Sequence, residues 1–189
     1  MNAIHELIKK RRSTVLFEDK PIGEDSIQSL FEAARWAPSS RNEQPWRFIY
    51  VLKSDPDFTD WLDCLAVNNQ KWAKNASMLL LTAAQLISDY NSKENPYAVH
   101  DTAMAYSNLV FQALAMGLSV HPMGGYDKEK IKTQVSLSEG FKPLVVAAIG
   151  YKSDSVGFDD ELVKRENRER TRKPIESIAF RHKYHHPVN

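Results

Sequence analysis

Apolar positions along this chain repeat with two different periods, and each period predicts a kind of element. Ile27, Leu30, Phe31 and Ala34, at i, i+3, i+4 and i+7, predict an amphipathic helix that Pro38 stops. Ile4, Leu7 and Ile8 share one face of a shorter helix, closed by the basic run from Lys9 to Arg12, where the helix dipole favours cations. Ser54 and Pro56 open a third helix with Phe58, Trp61, Leu62 and Leu65 on one face. Asn68 and Asn69 are expected to interrupt it before residues 70–75. The longest helix is predicted over residues 97–116, with Thr102, Tyr106, Leu109, Val110 and Ala113 as its buried stripe and Gly117 as its stop. Nearly unbroken apolar runs predict interior strands over residues 77–84 and 144–151 and a buried strand over 48–52. Asp127 is expected to cap a short helix, and residues 88–96 and 121–126 read as loops.

Two stretches fall outside this pattern. Between Pro38 and Trp46 runs a polar turn, Ser39-Ser40-Arg41-Asn42-Glu43-Gln44-Pro45, held by a helix on one side and a strand on the other. It fits a binding loop and equally a plain helix-to-strand connection. After Gly157 the composition changes. Residues 159–173 are almost continuously charged and residues 174–189 carry only scattered apolar side chains, so this segment is expected to make no core of its own. It lies on the domain, wraps a partner subunit or is disordered.

Bulk composition narrows the class. With 189 residues and 42% hydrophobic content, the chain predicts one domain, spanning residues 1–189, with a substantial core. A net charge of +1 with 26% charged residues gives no global field for nucleic acid or an anionic membrane. Cys64 is the only cysteine, which excludes an intramolecular disulfide and points to a reducing compartment. The N-terminus lacks the apolar stretch of a secretory signal, and no apolar run approaches the roughly 20 residues that span a bilayer. A soluble, cytoplasmic protein is expected.

Candidate chemistry is sparse. The seven glycines form neither a G-x-G-x-x-G fingerprint nor a P-loop, so a nicotinamide cofactor, if used, does not sit in a Rossmann unit of this chain. Arg11-Arg12-Ser13 matches phosphate oxygens in its donors, and equally fits a cationic helix cap. Arg172 and Lys173, running into Pro174, form a second basic cluster that also reads as a solvated face. His121-Pro122-Met123-Gly124-Gly125 would let backbone approach a flat ligand, or would simply make a turn. His182, His185 and His186 lack accompanying carboxylate or thiol partners and predict no metal site. No nucleophile–base or paired-carboxylate arrangement supports a hydrolase.

Taken together, these pieces resemble the nitroreductase family of FMN-dependent oxidoreductases. The resemblance is carried by Arg11-Arg12-Ser13, Ala37-Pro38-Ser39-Ser40 with Asn42, Gln44, Pro45 and Trp46, the Asn69-Gln70 pair, Gly124-Gly125 and Arg172-Lys173-Pro174, in the family's order. It implies an α+β fold with a mostly antiparallel sheet flanked by helices. It also implies an intertwined homodimer in which residues 159–189 form an arm over the partner. FMN is the implied cofactor and NAD(P)H the electron donor, with nitroaromatics, quinones or related small molecules as acceptors in a ping-pong reaction. Arg11, Ser13, Arg172 and Lys173 would hold the FMN phosphate and Arg12 the ring or ribityl chain. Pro38, Ser39, Ser40 and Asn42 would line the flavin of the partner, with Gln44 supporting the loop. Asn69 would meet the pyrimidine edge, Gly124 and Gly125 would lie near flavin N5 and O4, and Pro122 and Met123 are implied as cofactor-binding with them. No side chain is implied as an essential catalyst. Val15 and Trp72 stand where some relatives carry cations, which leaves Lys71, Lys74 and Arg41 as candidates for that charge. A narrower FMN enzyme (dehalogenase, enoyl reductase or flavin-fragmenting) and a non-catalytic flavin-binding redox sensor are the alternatives.

Overall fold

The computed structural model describes residues 3–184. In chain order its elements are α1 (Glu6–Lys10), α2 (Glu24–Arg35), β1 (Trp46–Leu52), α3 (Phe58–Leu62), α4 (Val67–Ala73) and β2 (Met78–Gln85). They are followed by α5 (Ala98–Ala115), β3 (Leu118–Met123), α6 (Lys128–Gln134), β4 (Phe141–Tyr151) and α7 (Asp160–Glu166). Short 3-10 turns form at Ser40–Asn42 and Ile175–Ser177. The strands make one antiparallel sheet in the order β1-β2-β4-β3. The expected α+β architecture is the one observed.

The two central strands explain the layering. Side chains alternate across a strand, so a strand apolar at every position needs cover on both faces. In β2, Leu79 and Leu81 join one core with Trp61, Trp72, Val146 and Ala148. Their neighbours Met78 and Leu80 join a second core with Ile27, Leu30, Leu109, Ala147 and Ile149. Helices α2 and α5 cover the second face. The buried segment Thr14–Phe17 and helices α3, α4 and α6 cover the first. A bulge at Thr82/Ala83 shifts the β2–β4 register.

Two predicted breaks are corrected. Asn68 and Asn69 do not interrupt a helix but lie in the first turn of α4, after a separate short α3 ends at Leu62. Asparagine bonds readily to nearby backbone, which suits a helix start as well as an end. Residues His121, Pro122 and Met123 are strand rather than loop. Proline is tolerated there because β3 is an edge strand and the missing N–H faces away from the ladder. The predicted cap at Asp127 is present, its carboxylate accepting from the Glu129 and Lys130 N–H groups at 3.0 Å each. Among the described residues no helix is long and apolar enough to cross a membrane.

The seam between β4 and the N-terminal segment is tight at Gly150. A Cβ there would lie 2.8 Å from Ser77 Oγ and 3.1 Å from both Phe17 Cδ1 and the Ser77 nitrogen. Gly150→Ala is therefore expected to destabilise the fold by about 1–3 kcal/mol, read as a lower midpoint in thermal melts followed by circular dichroism. An unchanged midpoint would mean that this seam yields freely.

Candidate functional site

The segment after α1 meets the end of α7 and the stretch that follows it. Arg11 Nη1 donates to Ser13 Oγ at 3.2 Å. From the other direction, Arg170 Nη1 donates to the Arg11 carbonyl at 2.8 Å, and Arg12 Nη2 donates to the Arg168 carbonyl at 2.8 Å. Burial, and then the charges of Arg172 and Arg170, push the Arg11 guanidinium below its ordinary pKa, while Tyr106 acts in the opposite sense. An arginine remains charged through such a shift. Arg11, Arg170 and Arg172 have no carboxylate within ion-pair distance among the described residues. The result is a cluster of fixed positive charge without its counter-ion.

One carboxylate stands just behind that cluster. Glu166, the last residue of α7, is 4% exposed. Its Oε2 accepts from Thr14 Oγ1 at 2.9 Å and from the Val15 N–H at 3.0 Å. Its Oε1 lies 3.0 Å from Lys152 Nζ and 3.6 Å from Arg12 Nε. Burial works to raise this carboxyl, but the Val15 N–H, Lys152 and the Thr14 hydroxyl outweigh it and hold the group below the ordinary carboxylate range.

Thr14 continues the chain of contacts toward β3. Its carbonyl oxygen lies 2.7 Å from His121 Nδ1. A carbonyl can only accept, so Nδ1 carries the proton. Burial lowers the His121 pKa, the Thr14 bond opposes it, and Arg165 lowers it further, so the ring is neutral at pH 7. The imidazole stacks on Trp72 of α4 with centroids 4.3 Å apart, and Phe17 stacks on Trp72 at 6.2 Å. Arg165 of α7 sits 5.5 Å from the Trp72 ring. Trp72 thereby ties β3, α4, α7 and the N-terminal segment into one block.

On the same helix as Trp72, Asn69 Nδ2 donates to the Gly125 carbonyl at 3.1 Å. The backbone reinforces this junction, with Ala66 N–H donating to the Gly125 carbonyl and Asp127 N–H to the Cys64 carbonyl. Gly125 is glycine for want of room: a Cβ would lie 3.2 Å from Asn69 Nδ2 and 3.4 Å from Ala66 Cβ. At Gly124 nothing lies within 4 Å of such an atom, and Pro122 is exposed beside it. The Met123 side chain is buried in the core, so only its backbone is available to a ligand. Val15 and Trp72 are fully core residues. Lys71 and Lys74 are exposed on α4, and Arg41 lies over the Tyr90 ring at 4.7 Å.

The polar turn after α2 is a constructed loop rather than slack chain. Arg41, Asn42 and Gln44 all have positive φ, at 54°, 57° and 48°. Non-glycine residues in that region cost about 1–3 kcal/mol each and persist where surrounding bonds impose them. Those bonds are present. Ser39 Oγ accepts from the Gln44 N–H at 3.0 Å, and the buried Asp101 accepts from the Ser40 N–H at 2.8 Å. Glu43 accepts from Ser88 Oγ at 2.5 Å and from the Asp89 N–H at 3.1 Å.

Two groups of expected site residues emerge. Arg11, Arg12 and Ser13 meet the stretch before Lys173, and Thr14, His121 and Trp72 join them to Asn69 and the Pro122–Gly125 stretch. Pro38, Ser39, Ser40, Asn42 and Gln44 form a separate group; among the described residues no hydrogen bond or ion pair links them to the first. His185 and His186 lie outside the described residues. Sequence reasoning missed Glu166 and Tyr106. The signal for Glu166 was the apolar pair Leu162 and Val163 inside the charged run, of which Leu162 packs on the core one turn before it. Tyr106 reads as core in the sequence, yet its buried hydroxyl has no hydrogen-bond partner among the described residues, and burial pushes the phenol well up.

Comparison with known proteins gives concordant matches. The profile of the nitroreductase family matches residues 8–63 and 62–151. An uncharacterised 15.4 kDa protein of Mycolicibacterium smegmatis is 30% identical over 135 residues, covering 71% of this chain and 89% of its own length. A protein of Archaeoglobus fulgidus, provisionally named as a NADH dehydrogenase/NAD(P)H nitroreductase, is 26% identical over 159 residues, covering 81% of this chain and 87% of itself. A crystal structure described as an oxidoreductase containing FMN superposes with a TM-score of 0.91 at 33% identity, covering 97% of this chain and 93% of that one.

Glu166 makes the fold sensitive to acid. A carboxyl whose pKa is lowered by folding stabilises the native state above its unfolded value, about 4.3 for Glu, and loses that contribution as pH falls through the folded value. The stability gap between the wild-type chain and Glu166→Gln, from urea unfolding at each pH, is expected to be widest near neutrality and to close below about pH 4. A gap independent of pH would show that the charge of Glu166 contributes nothing.

Proposed function

The chain belongs to the nitroreductase family, and from that premise we propose that it is an NAD(P)H-dependent FMN oxidoreductase. It passes reducing equivalents by a ping-pong mechanism to electron-poor small molecules such as nitroaromatics or quinones. It works as a homodimer with two sites at the subunit interface.

The observation that carries this reading is the uncompensated cluster of Arg11, Arg170 and Arg172. Guanidinium groups present paired donors that suit phosphate oxygens, and a phosphate supplies the missing negative charge. Ser13 Oγ, held by Arg11, adds a donor to the same anion, and Lys173 adds charge at its edge. The other end fits a flat polar ring. Asn69 uses one amide hydrogen on Gly125, which leaves its carboxamide oxygen and second N–H for the pyrimidine edge. The open space at Gly124 lets backbone approach the ring closely.

FMN held there would supply the hydride-transfer chemistry between NAD(P)H and the acceptor. The protein binds the phosphate, orients the ring and keeps acid and base groups out of the reaction. His121 is neutral with its proton committed to Thr14, and Tyr106 is held protonated by burial. The strained Ser39–Gln44 turn, separate from the cation cluster in its own chain, lines the partner's ring. In support of the arm, residues 167–178 are exposed throughout and include Ile175 and Ile178, which are 48% and 65% exposed and gain cover from a second subunit.

Purified protein is expected to be yellow, to release FMN rather than FAD on denaturation, and to oxidise NAD(P)H in the presence of menadione or nitrofurazone. Protein that FMN cannot reconstitute would overturn the reading. The double variant Arg11→Ala with Arg172→Ala is expected to weaken FMN binding at least about tenfold, from the loss of charge-assisted hydrogen bonds. Unchanged affinity in flavin fluorescence titrations would remove the phosphate assignment. Deleting residues 174–189 is expected to lower the dimer fraction in sedimentation velocity; an equally dimeric truncated chain would count against the arm.

A further inference from the structure

The cation cluster has an unexplained geometry. Like charges repel, and Arg170 and Arg172 lie on a stretch whose residues are all exposed. Two side-chain-to-carbonyl hydrogen bonds, from Arg170 to Arg11 and from Arg12 to Arg168, hold it against that repulsion. The last rigid point before it is Glu166, two residues ahead of Arg168. This carboxylate bonds to Thr14 and Val15, the residues immediately after Ser13, and pairs with Arg12, the residue immediately before it. It therefore brackets the N-terminal half of the cluster with its own contacts while its chain direction delivers the C-terminal half.

Packing alone does not call for a carboxylate here. A buried ion pair is often replaced by apolar groups of similar size with no loss of stability, whereas hydrogen bonds and charge fix direction. The two donors to Glu166 Oε2, the Thr14 hydroxyl and the Val15 N–H, are directional, and Thr14 with the ion-paired Arg12 flanks Ser13, one of the residues that would meet the phosphate. The Thr14 carbonyl also accepts a hydrogen bond from His121 Nδ1–H, which links the same clamp to the strand that ends at Met123, just before Gly124.

Resting on the FMN reading above, we propose that Glu166 is the positioning residue of the phosphate cradle: it clamps α7 to Thr14 and Arg12 so that Arg170 and Arg172 face Arg11. It touches no part of the ligand.

The test separates positioning from general stability by comparing FMN with riboflavin, which has the same ring and no phosphate. Both are titrated by flavin fluorescence against full-length, flavin-stripped protein. Wild type is expected to favour FMN strongly. Glu166→Gln, which keeps shape and an acceptor but loses the charge, is expected to weaken FMN about tenfold or more, the effect of one charge-assisted hydrogen bond, and to leave riboflavin affinity unchanged. Equal loss for both flavins would mark Glu166 as merely structural, and an unaltered FMN-to-riboflavin ratio would also overturn the proposal. Should Glu166→Gln fail to fold, Thr14→Val removes the hydroxyl side of the clamp and is read by the same ratio, with the same outcomes for and against. A wild-type chain that holds FMN and riboflavin equally would instead remove the phosphate cradle itself, and the clamp with it. That result is distinct from a preference that survives in the variants.

Discussion

A sheet whose two inner strands are apolar on both faces cannot stand as a surface, and the rest of this molecule follows from covering it. Helices α2 and α5 suffice for one face. On the other, three short helices and the segment Thr14–Phe17 share the task, and their edges meet around Trp72. Polar residues collect at that junction because every piece ends there. The N-terminal helix has just finished, β3 is about to turn, and α4 and α7 are both ending. Element ends carry unsatisfied backbone groups and tolerate charge, so the polar cluster at the junction comes from the same economy as the core.

The two ends of the site differ in electrostatic character. At one, guanidinium groups converge with a single carboxylate set back behind them, so the field at the surface is positive. At the other, around Asn69 and Gly125, the groups are neutral amides and backbone. A ligand that is anionic at one end and a neutral heterocycle at the other matches both without burying an unpaired charge. The neutral, tautomer-locked His121 stands between the two ends, and its ring packs on Trp72 instead of facing the open side.

Period made α2, α5, β2 and β4 legible, because burial on one or both faces writes itself directly into residue order. The order of elements and the antiparallel character of the sheet were legible through family resemblance rather than through period. Local ambiguity hid the rest. Asparagine signals helix starts and stops alike, so Asn68 and Asn69 were read as a break. Pro122 reads as a loop unless the strand is known to lie at the edge, which is a tertiary fact. Glu166 sits in a run of charges where every carboxylate looks solvated. Only the fold reveals that Thr14, some 150 residues away, has left a donor waiting for it. Of the three strained residues in the Ser39–Gln44 turn only Asn42 is of a type that favours positive φ, so the strain at Arg41 and Gln44 was equally invisible.

Pro122 has one more consequence. An outer strand with a full row of free N–H and C=O groups invites another strand to join it, which is how sheets fuse between molecules. Here β3 forms one border of the sheet, and at Pro122 that row lacks a donor. A strand added along this border would find one backbone donor fewer at Pro122, so recognition there leans more on side-chain shape and charge.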